Sequence, residues 1–293
     1  RPEDNRVELT CLARLSQRTG EDWQNTALVL STMTPVTGAV APEPYPWYLS
    51  LIEPMVAKSG ARYAEAVLAP GGPAEVDIAP QTEIVETGLA LQYQVPGRIS
   101  LSSGEPAKRI ELYRTEMDAF FDHYTLPRSS QQAFLTCQLI NSSQLLLLPG
   151  SASTFVNDEY TGSTRLPAVA PQESVNISFG VDERVKVNRE LVRSFKSKIG
   201  LFGRTERMQF HYRTTVENYH SAPITLRLLE QIPVSQQADI RVNVTRVEPQ
   251  YAEKNDNTGV YTWQPRLSSR ERFTVEIEFT VEYPAGRQIS GLF

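Results

Sequence analysis

Three glutamates near the end of the chain have a spacing that could support acid–base chemistry. Glu276, Glu278 and Glu282 occupy polar positions in a run whose intervening residues are apolar. Next-but-one residues of a strand lie about 7 Å apart on one face, and glycoside hydrolases hold two carboxyl groups on the order of 5–10 Å apart. A solvated strand face that resists edge-to-edge aggregation is the commoner cause of this pattern. We therefore expect a solvated face and keep glycoside hydrolysis as the alternative.

The three histidines are the next candidates for chemistry. His211 falls on the polar face of a predicted strand, His220 falls in a turn, and neither these two nor His123 has a ligand-spaced His, Asp or Glu beside it in the sequence. Such residues are typical of a surface or a turn rather than of an active site. The sequence also lacks a nucleophile elbow and a phosphate-binding glycine loop. We expect no catalytic set, no metal site and no cofactor.

The two cysteines, Cys11 and Cys137, each occupy an apolar position of an alternating run. The pattern favours buried free thiols that pack as small apolar groups. A disulfide joining the two strands is the alternative, and it would imply an oxidising compartment. No Cys-x-x-Cys or Cys/His spacing points to a metal.

A glycine-flanked segment after residue 195 is the first candidate for a contact surface. Two large apolar residues lie between glycines at 200 and 203 and are surrounded by cations. On a hairpin tip they would suit an anionic surface or a protein groove; in a tight turn they would instead fill a junction between domains. The candidate residues are Leu201, Phe202, Lys198 and Arg204.

A proline-rich segment at 35–80 is the second candidate surface. Proline removes backbone donors and fixes φ, so we expect a loop or an extended insertion. Its Tyr45, Trp47 and Tyr48 could stack on sugars or dock a partner. The alternative is that the segment folds back over a sheet and covers these rings.

All of these candidates must be positioned by strands, because a period of two dominates the chain. Residues 273–283 alternate apolar and polar side chains, and shorter runs such as 107–113, 119–126 and 208–217 repeat the pattern. We predict an all-β protein of two tandem antiparallel β-sandwiches of the immunoglobulin-like kind. The first covers 1–186, with the insertion at 35–80, and the second covers 187–293.

Composition excludes some classes of function. The net charge of −5 provides no basic excess for nucleic acid, and no apolar run approaches the roughly 20 residues of a membrane span. The chain begins Arg1-Pro2 without an initiator Met, so we expect an excerpt or a processed product. Localisation is not encoded in these residues.

Several short motifs together resemble a known family. They include Gln17-Arg18-Thr19-Gly20-Glu21-Asp22-Trp23, Pro96-Gly97-Arg98-Ile99, Gly200-Leu201-Phe202-Gly203 and Gly259-Val260-Tyr261-Thr262-Trp263. In order and spacing they are similar to the C-terminal domain of unknown function in the mucoidy inhibitor A family. The resemblance spans nearly the whole chain. It implies no catalytic residue or cofactor, and the family name, which refers to a mucoid bacterial state, implies a role at the bacterial cell envelope or periplasm.

The function that we predict is a non-enzymatic interaction or scaffold module. Its expected partner is a protein, with a polysaccharide as a further possible ligand, and neither nucleic acid nor a transmembrane segment is expected. The alternative is an exopolysaccharide-binding protein or a glycoside hydrolase that uses surface carboxylates.

Overall fold

A computed structural model describes residues 2–32, 83–87, 90–95, 97–200 and 204–292. The predicted insertion at 35–80 with Tyr45, Trp47 and Tyr48, and the tip residues Leu201 and Phe202, lie outside these ranges.

Eighteen strands and a short 3-10 turn (Pro2–Asp4) make up the regular structure of the described part. The strands are β1 (Arg6–Leu15), β2 (Trp23–Thr26), β3 (Val29–Ser31), β4 (Glu83–Thr87), β5 (Ala90–Gln94), β6 (Ile99–Leu101), β7 (Lys108–Thr125), β8 (Gln132–Ile140), β9 (Gly150–Val156), β10 (Glu159–Leu166), β11 (Ser174–Ile199), β12 (Thr205–Asn218), β13 (Ile224–Gln231), β14 (Arg241–Glu248), β15 (Glu253–Asn255), β16 (Val260–Trp263), β17 (Arg266–Leu267) and β18 (Arg272–Pro284).

The strands of the described ranges form one large sheet and three small ones. The large sheet has eleven strands in the order β14-β18-β12-β11-β8-β7-β13-β16-β15, with β1 added at β7 and β17 at β13. The small sheets are β10-β9, β2-β6 and β3-β5-β4. The all-β prediction is confirmed. The large sheet is mixed, however, because β13 pairs with β7 in parallel, whereas the sequence predicted only antiparallel pairing.

The chain divides into two compact units. One consists of Arg1–Glu8 and Glu116–Phe293, and the other of Leu9–Thr115. The predicted boundary between residues 186 and 187 falls inside β11, which continues through it as one strand. The division into two tandem immunoglobulin-like sandwiches stays a prediction.

The last strand shows why these residues form a sheet. In β18, Val275, Ile277 and Val281 are at most 3% exposed, while the glutamates between them are partly exposed, as the period of two predicts. Opposite them, Phe210 of β12 pairs with Phe279, and the centroids of these two rings are 5.2 Å apart. Burial of such apolar faces is the main source of stability for this unit.

Both cysteines are free thiols, and the prediction of a buried free thiol is confirmed for Cys137. Cys137 is buried in β8, whereas Cys11 of β1 is partly buried. Burial raises the pKa of Cys137 to about 12 and also raises the pKa of Cys11. Both thiols are therefore protonated at neutral pH and poorly nucleophilic.

Candidate functional site

Three titratable side chains from distant parts of the chain meet at one place in the larger unit. Asp182 Oδ2 lies 3.0 Å from His123 Nε2 and 2.7 Å from His220 Nε2. The two imidazole rings meet edge to face, with centroids 5.5 Å apart. We call His123, Asp182 and His220 the His–Asp–His cluster. It is the group of His, Cys, Asp or Glu side chains in the described residues whose donor atoms are close enough to share a metal ion.

Strand β7 positions His123 from the interior of the sheet. His123 pairs with Leu135 of β8 on one side and with Leu226 of β13 on the other. With neighbouring strands on both sides, its backbone has little freedom to move. The residue is 7% exposed, so its ring needs a polar partner within the protein.

An irregular part of β11 positions Asp182. The pairing of β11 with β8 shifts register on both sides of Val181, and Gly180 just before it has a φ of 104°. A Cβ at Gly180 would lie 2.8 Å from the carbonyl oxygen of Thr161, so the close approach of β10 requires glycine at this position. Asp182 lies within this irregular part, between the paired residues Val181 and Lys186.

The turn between β12 and β13 positions His220, and a buried asparagine holds that turn. Asn218 is 0% exposed; its Oδ1 accepts from the His220 N–H, at 2.9 Å. Its Nδ2 donates to the carbonyl oxygens of Ala222, Leu267 and Ser268 at 3.0–3.1 Å. The backbone on both sides of His220 is therefore fixed before the imidazole meets Asp182.

The electrostatics of the cluster favour an ionised carboxylate. Burial raises the pKa of Asp182, but the hydrogen bond from His123 and the backbone N–H of Arg184 outweigh that effect and hold the pKa well below its usual range. Desolvation lowers the pKa of His220 despite the neighbouring Asp182. An ionised carboxylate only accepts hydrogen bonds, so we assign a hydrogen to Nε2 of both imidazoles.

Sequence reasoning missed this cluster. The expectation of surface or turn histidines is wrong for His123, which is buried, although His220 does lie in a turn. Asp182 is 59 residues from His123 and 38 from His220, so no local spacing could show the group. The one available signal was that His123 falls in the same phase as the buried residues Met117 and Ala119.

The three glutamates of β18 lie on the partly exposed face predicted for them. Each of them lies beside an arginine. Glu276 pairs with Arg213 at 2.9 Å, and Glu282 pairs with Arg207 at 2.7 Å. Glu278 lies 3.5 Å from Arg246. The hydrogen bond from Arg213 lowers the pKa of Glu276, opposite to the raised pKa of a general acid.

The third histidine, His211, lies on this same face. Its Nε2 is 3.4 Å from Glu276, and its Nδ1 is 3.8 Å from Glu278. The prediction of a polar strand face is confirmed for His211. It offers a natural comparison for the cluster, since it too has two carboxylates as neighbours.

Of the predicted contact residues, the structure describes Lys198 and Arg204. Lys198 lies near the end of β11, opposite Glu206 of β12, and Arg204 directly precedes β12. Both are exposed, and in the sequence they lie on either side of the glycine-flanked segment. The other predicted contact residues lie outside the described ranges.

Comparison with known proteins places the chain in a family. A family profile described as a domain of unknown function (DUF4139) matches residues 1–285. The chain belongs to this family. The DUF4139 assignment agrees with the resemblance of its motifs to a domain of unknown function.

One curated relative of this DUF4139 chain is Protein F37C4.5 of Caenorhabditis elegans, 22% identical over 310 residues. The match covers 97% of the chain and 56% of the relative. The chain thus spans a little over half the length of that protein. No solved structure shows significant similarity to the present chain.

Proposed function

We propose that this chain is a protein-interaction module that binds an extended segment of its partner along the free edge of β11. The observation that carries the proposal is the change of neighbours along this strand. β8 pairs with β11 as far as Lys186. From there to Ile199, β12 is the one strand that pairs with it in the described part of the chain. An edge of this length can accept an additional strand.

The side chains along this edge are suited to a partner. Leu191, Val192 and Phe195 are 45%, 41% and 54% exposed. Apolar side chains that a partner buries contribute affinity in proportion to the apolar area removed from water. A free edge that is rich in such groups gives both backbone hydrogen bonds and apolar contact area.

The charge of the edge indicates the chemistry of the partner. Arg193, Lys196 and Lys198 lie on the same half of β11 as the exposed apolar groups. Lys196 is paired with Glu206 at 2.8 Å. Lysines and a bulge, which β11 has between Leu191 and Arg193, discourage self-pairing of edges. A segment that alternates apolar with acidic residues would complement this edge.

The described cavities support a non-enzymatic role. One of about 220 Å³ is bordered by Arg189, whose guanidinium is already engaged by Glu230 at 3.1 Å. A wide, open one of about 540 Å³ is bordered by Arg246 and Glu276, which pair at 3.2 Å. Charged groups held in ion pairs are poorly placed to transfer protons.

The narrower predictions have other grounds than the β11 edge and stay proposals. A role at a bacterial envelope, a link to mucoidy inhibitor A and the arrangement as tandem immunoglobulin-like sandwiches follow from the resemblance and the strand pattern. The described part of the chain has no helix with the length and apolar character needed to cross a membrane. Polysaccharide binding stays the alternative, with the β18 glutamates as its predicted residues.

A displayed library of extended peptides tests the edge. We expect selected peptides to alternate apolar with acidic residues and to protect amides at 187–199 from hydrogen exchange. Phe195→Ser should weaken their binding at least tenfold, because burying a phenyl ring contributes about 1.5–3 kcal/mol. Phe155→Ser is the matched control, since Phe155 is 55% exposed on β9 and should leave binding unchanged.

Three results of this experiment would contradict binding at the β11 edge. A library that yields no binder, or binders that Phe195→Ser and Phe155→Ser weaken equally, would refute the edge proposal. Protection from exchange by the selected peptides that is confined to β18 would also refute it, because the peptides would then bind at another place.

A further inference from the structure

We propose that the His–Asp–His cluster binds one Zn²⁺ ion, with His123 Nε2, His220 Nε2 and an Asp182 carboxylate oxygen as the protein ligands. Two imidazole nitrogens and one carboxylate oxygen are donors that Zn²⁺ takes readily. Mg²⁺ and Ca²⁺ prefer oxygen ligands throughout. The donor set therefore favours zinc over those hard cations.

The distances between the donor atoms suit an ion of this size. The three atoms lie within 4.8 Å of one another, and Asp182 Oδ2 is 2.7 and 3.0 Å from the two nitrogens. Zinc bonds of about 2.0–2.1 Å place tetrahedral ligands about 3.3 Å apart. Admitting the ion would thus move Asp182 Oδ2 away from each nitrogen by a few tenths of an ångström. The two nitrogens, which lie within 4.8 Å of each other, would close by up to about 1.5 Å through rotation of the side chains.

A hydrogen bond to the second oxygen of Asp182 holds the orientation of the carboxylate. Its Oδ1 accepts from the backbone N–H of Arg184 at 3.0 Å, and the Arg184 Nε lies 3.9 Å away. Contacts of this kind fix the direction of a ligand and improve metal affinity. The Arg184 charge lies on the Oδ1 side, which leaves Oδ2 for the cation.

Ion binding requires a change of tautomer in both rings. Each Nε2 now carries the hydrogen that it donates to Asp182, and coordination needs its lone pair. In a neutral ring the hydrogen moves to Nδ1 through solvent, so that ring binds the ion without net proton release. The ion then replaces two hydrogen bonds with three coordinate bonds.

The position of the cluster indicates a structural ion. The side chains of His123, Asp182 and His220 are 10%, 14% and 16% exposed, and neither described cavity borders them. Water can fill the remaining coordination position, and neither of the two described cavities provides room for a substrate beside it. The ion would fasten the turn between β12 and β13 to β7 and β11.

Metal titration of the purified chain tests this proposal. After treatment with a chelator and dialysis, we expect one equivalent of Zn²⁺ to bind in calorimetry and to raise the Tm. Co²⁺ in its place should give visible absorption bands of a tetrahedral or five-coordinate site, and Zn²⁺ should remove them. His220→Gln should weaken zinc binding at least tenfold, since one of three protein ligands is lost.

The control variant is His211→Gln, because His211 also lies beside two carboxylates. It should bind zinc as the original chain does. His220→Gln must retain the strand-rich circular dichroism spectrum, and Asp182→Asn provides a second ligand variant if it does not. Folded chain that binds no zinc, or binding that is lost with His211 and kept with His220, would overturn the proposal.

Discussion

Glu230 is a carboxylate that the fold almost removes from water. It is 2% exposed, and both its oxygens accept from Arg189 Nε at 3.1–3.2 Å, while the Thr214 hydroxyl donates a further hydrogen bond. Arg189 in turn lies 3.8 Å above the ring of Tyr212. A buried charge of this kind is tolerated only while its partner is present.

Removal of that partner should be costly, and removal of both charges much less so. Arg189→Met leaves Glu230 buried and unpaired, so we expect the free energy of unfolding to fall by about 3 kcal/mol or more. The double variant Arg189→Met, Glu230→Met should recover most of that loss. Urea denaturation of the original chain, Arg189→Met, Glu230→Met and the double variant measures the difference. Losses that simply add would show that the pair is not energetically coupled.

The burial of Glu230 and His123 could be predicted from the sequence, whereas the partners of these side chains could not. In β13, Glu230 continues the buried phase of Leu226 and Leu228. In β7, His123 continues the buried phase of Met117 and Ala119. A charged or polar residue in the apolar phase of a strand signals a buried partner. The identity of that partner is not visible, because Arg189 is 41 residues from Glu230. Alternation shows which face is buried and nothing about which strands meet.

At the scale of elements, Gly180 allows two sheets to approach each other. Its φ of 104° is open to glycine and strained for other residues. The added Cβ would meet the Thr161 carbonyl oxygen at 2.8 Å, a backbone atom that cannot rotate away. The same site begins the irregular pairing within which Asp182 lies.

Gly180→Ala should therefore destabilise the larger unit by about 1–3 kcal/mol, through strain at positive φ and the clash with β10. Gly150→Ala is the matched control, because nothing lies within 4 Å of its added Cβ. Thermal unfolding of both variants gives the comparison. Equal Tm values for the two would contradict the close approach of β10 and β11.

Some elements followed directly from the sequence. The run at 273–283 is β18, and the run at 208–217 lies within β12. The predicted break between 113 and 119 is wrong, since β7 continues through it for 18 residues. There Arg114, Glu116 and Asp118 are exposed while Met117 is buried, so alternation resumes in the phase opposite to that of the buried Ile110 and Leu112. Its charged residues mark one face of a long strand rather than a loop.

At the scale of the whole molecule, the large sheet interleaves strands from early and late in the chain. β7 lies between β8 and β13, and β11 lies between β8 and β12. The sequence could not give this order, because a period of two is compatible with any arrangement of neighbours. Only the structure shows that residues before and after position 187 share one sheet.

A separate fragment tests that sharing. Residues 187–293 alone lack β7, β8 and the first half of β11, so β13 loses a neighbour and the buried faces lose their cover. We expect this fragment to be insoluble or to give a poorly dispersed amide NMR spectrum. The complete chain is the control. Cooperative unfolding of the fragment by itself would instead support the predicted sandwich boundary.

The parallel pairing of β7 with β13 has a consequence during synthesis. His123 pairs with Leu226, which the ribosome adds about 100 residues later. At about 5–20 residues per second, β7 waits roughly 5–20 s for this neighbour. A nascent strand with an open hydrogen-bonding side for that time can join other chains, so yields in cells should depend on chaperones that shield emerging polypeptides.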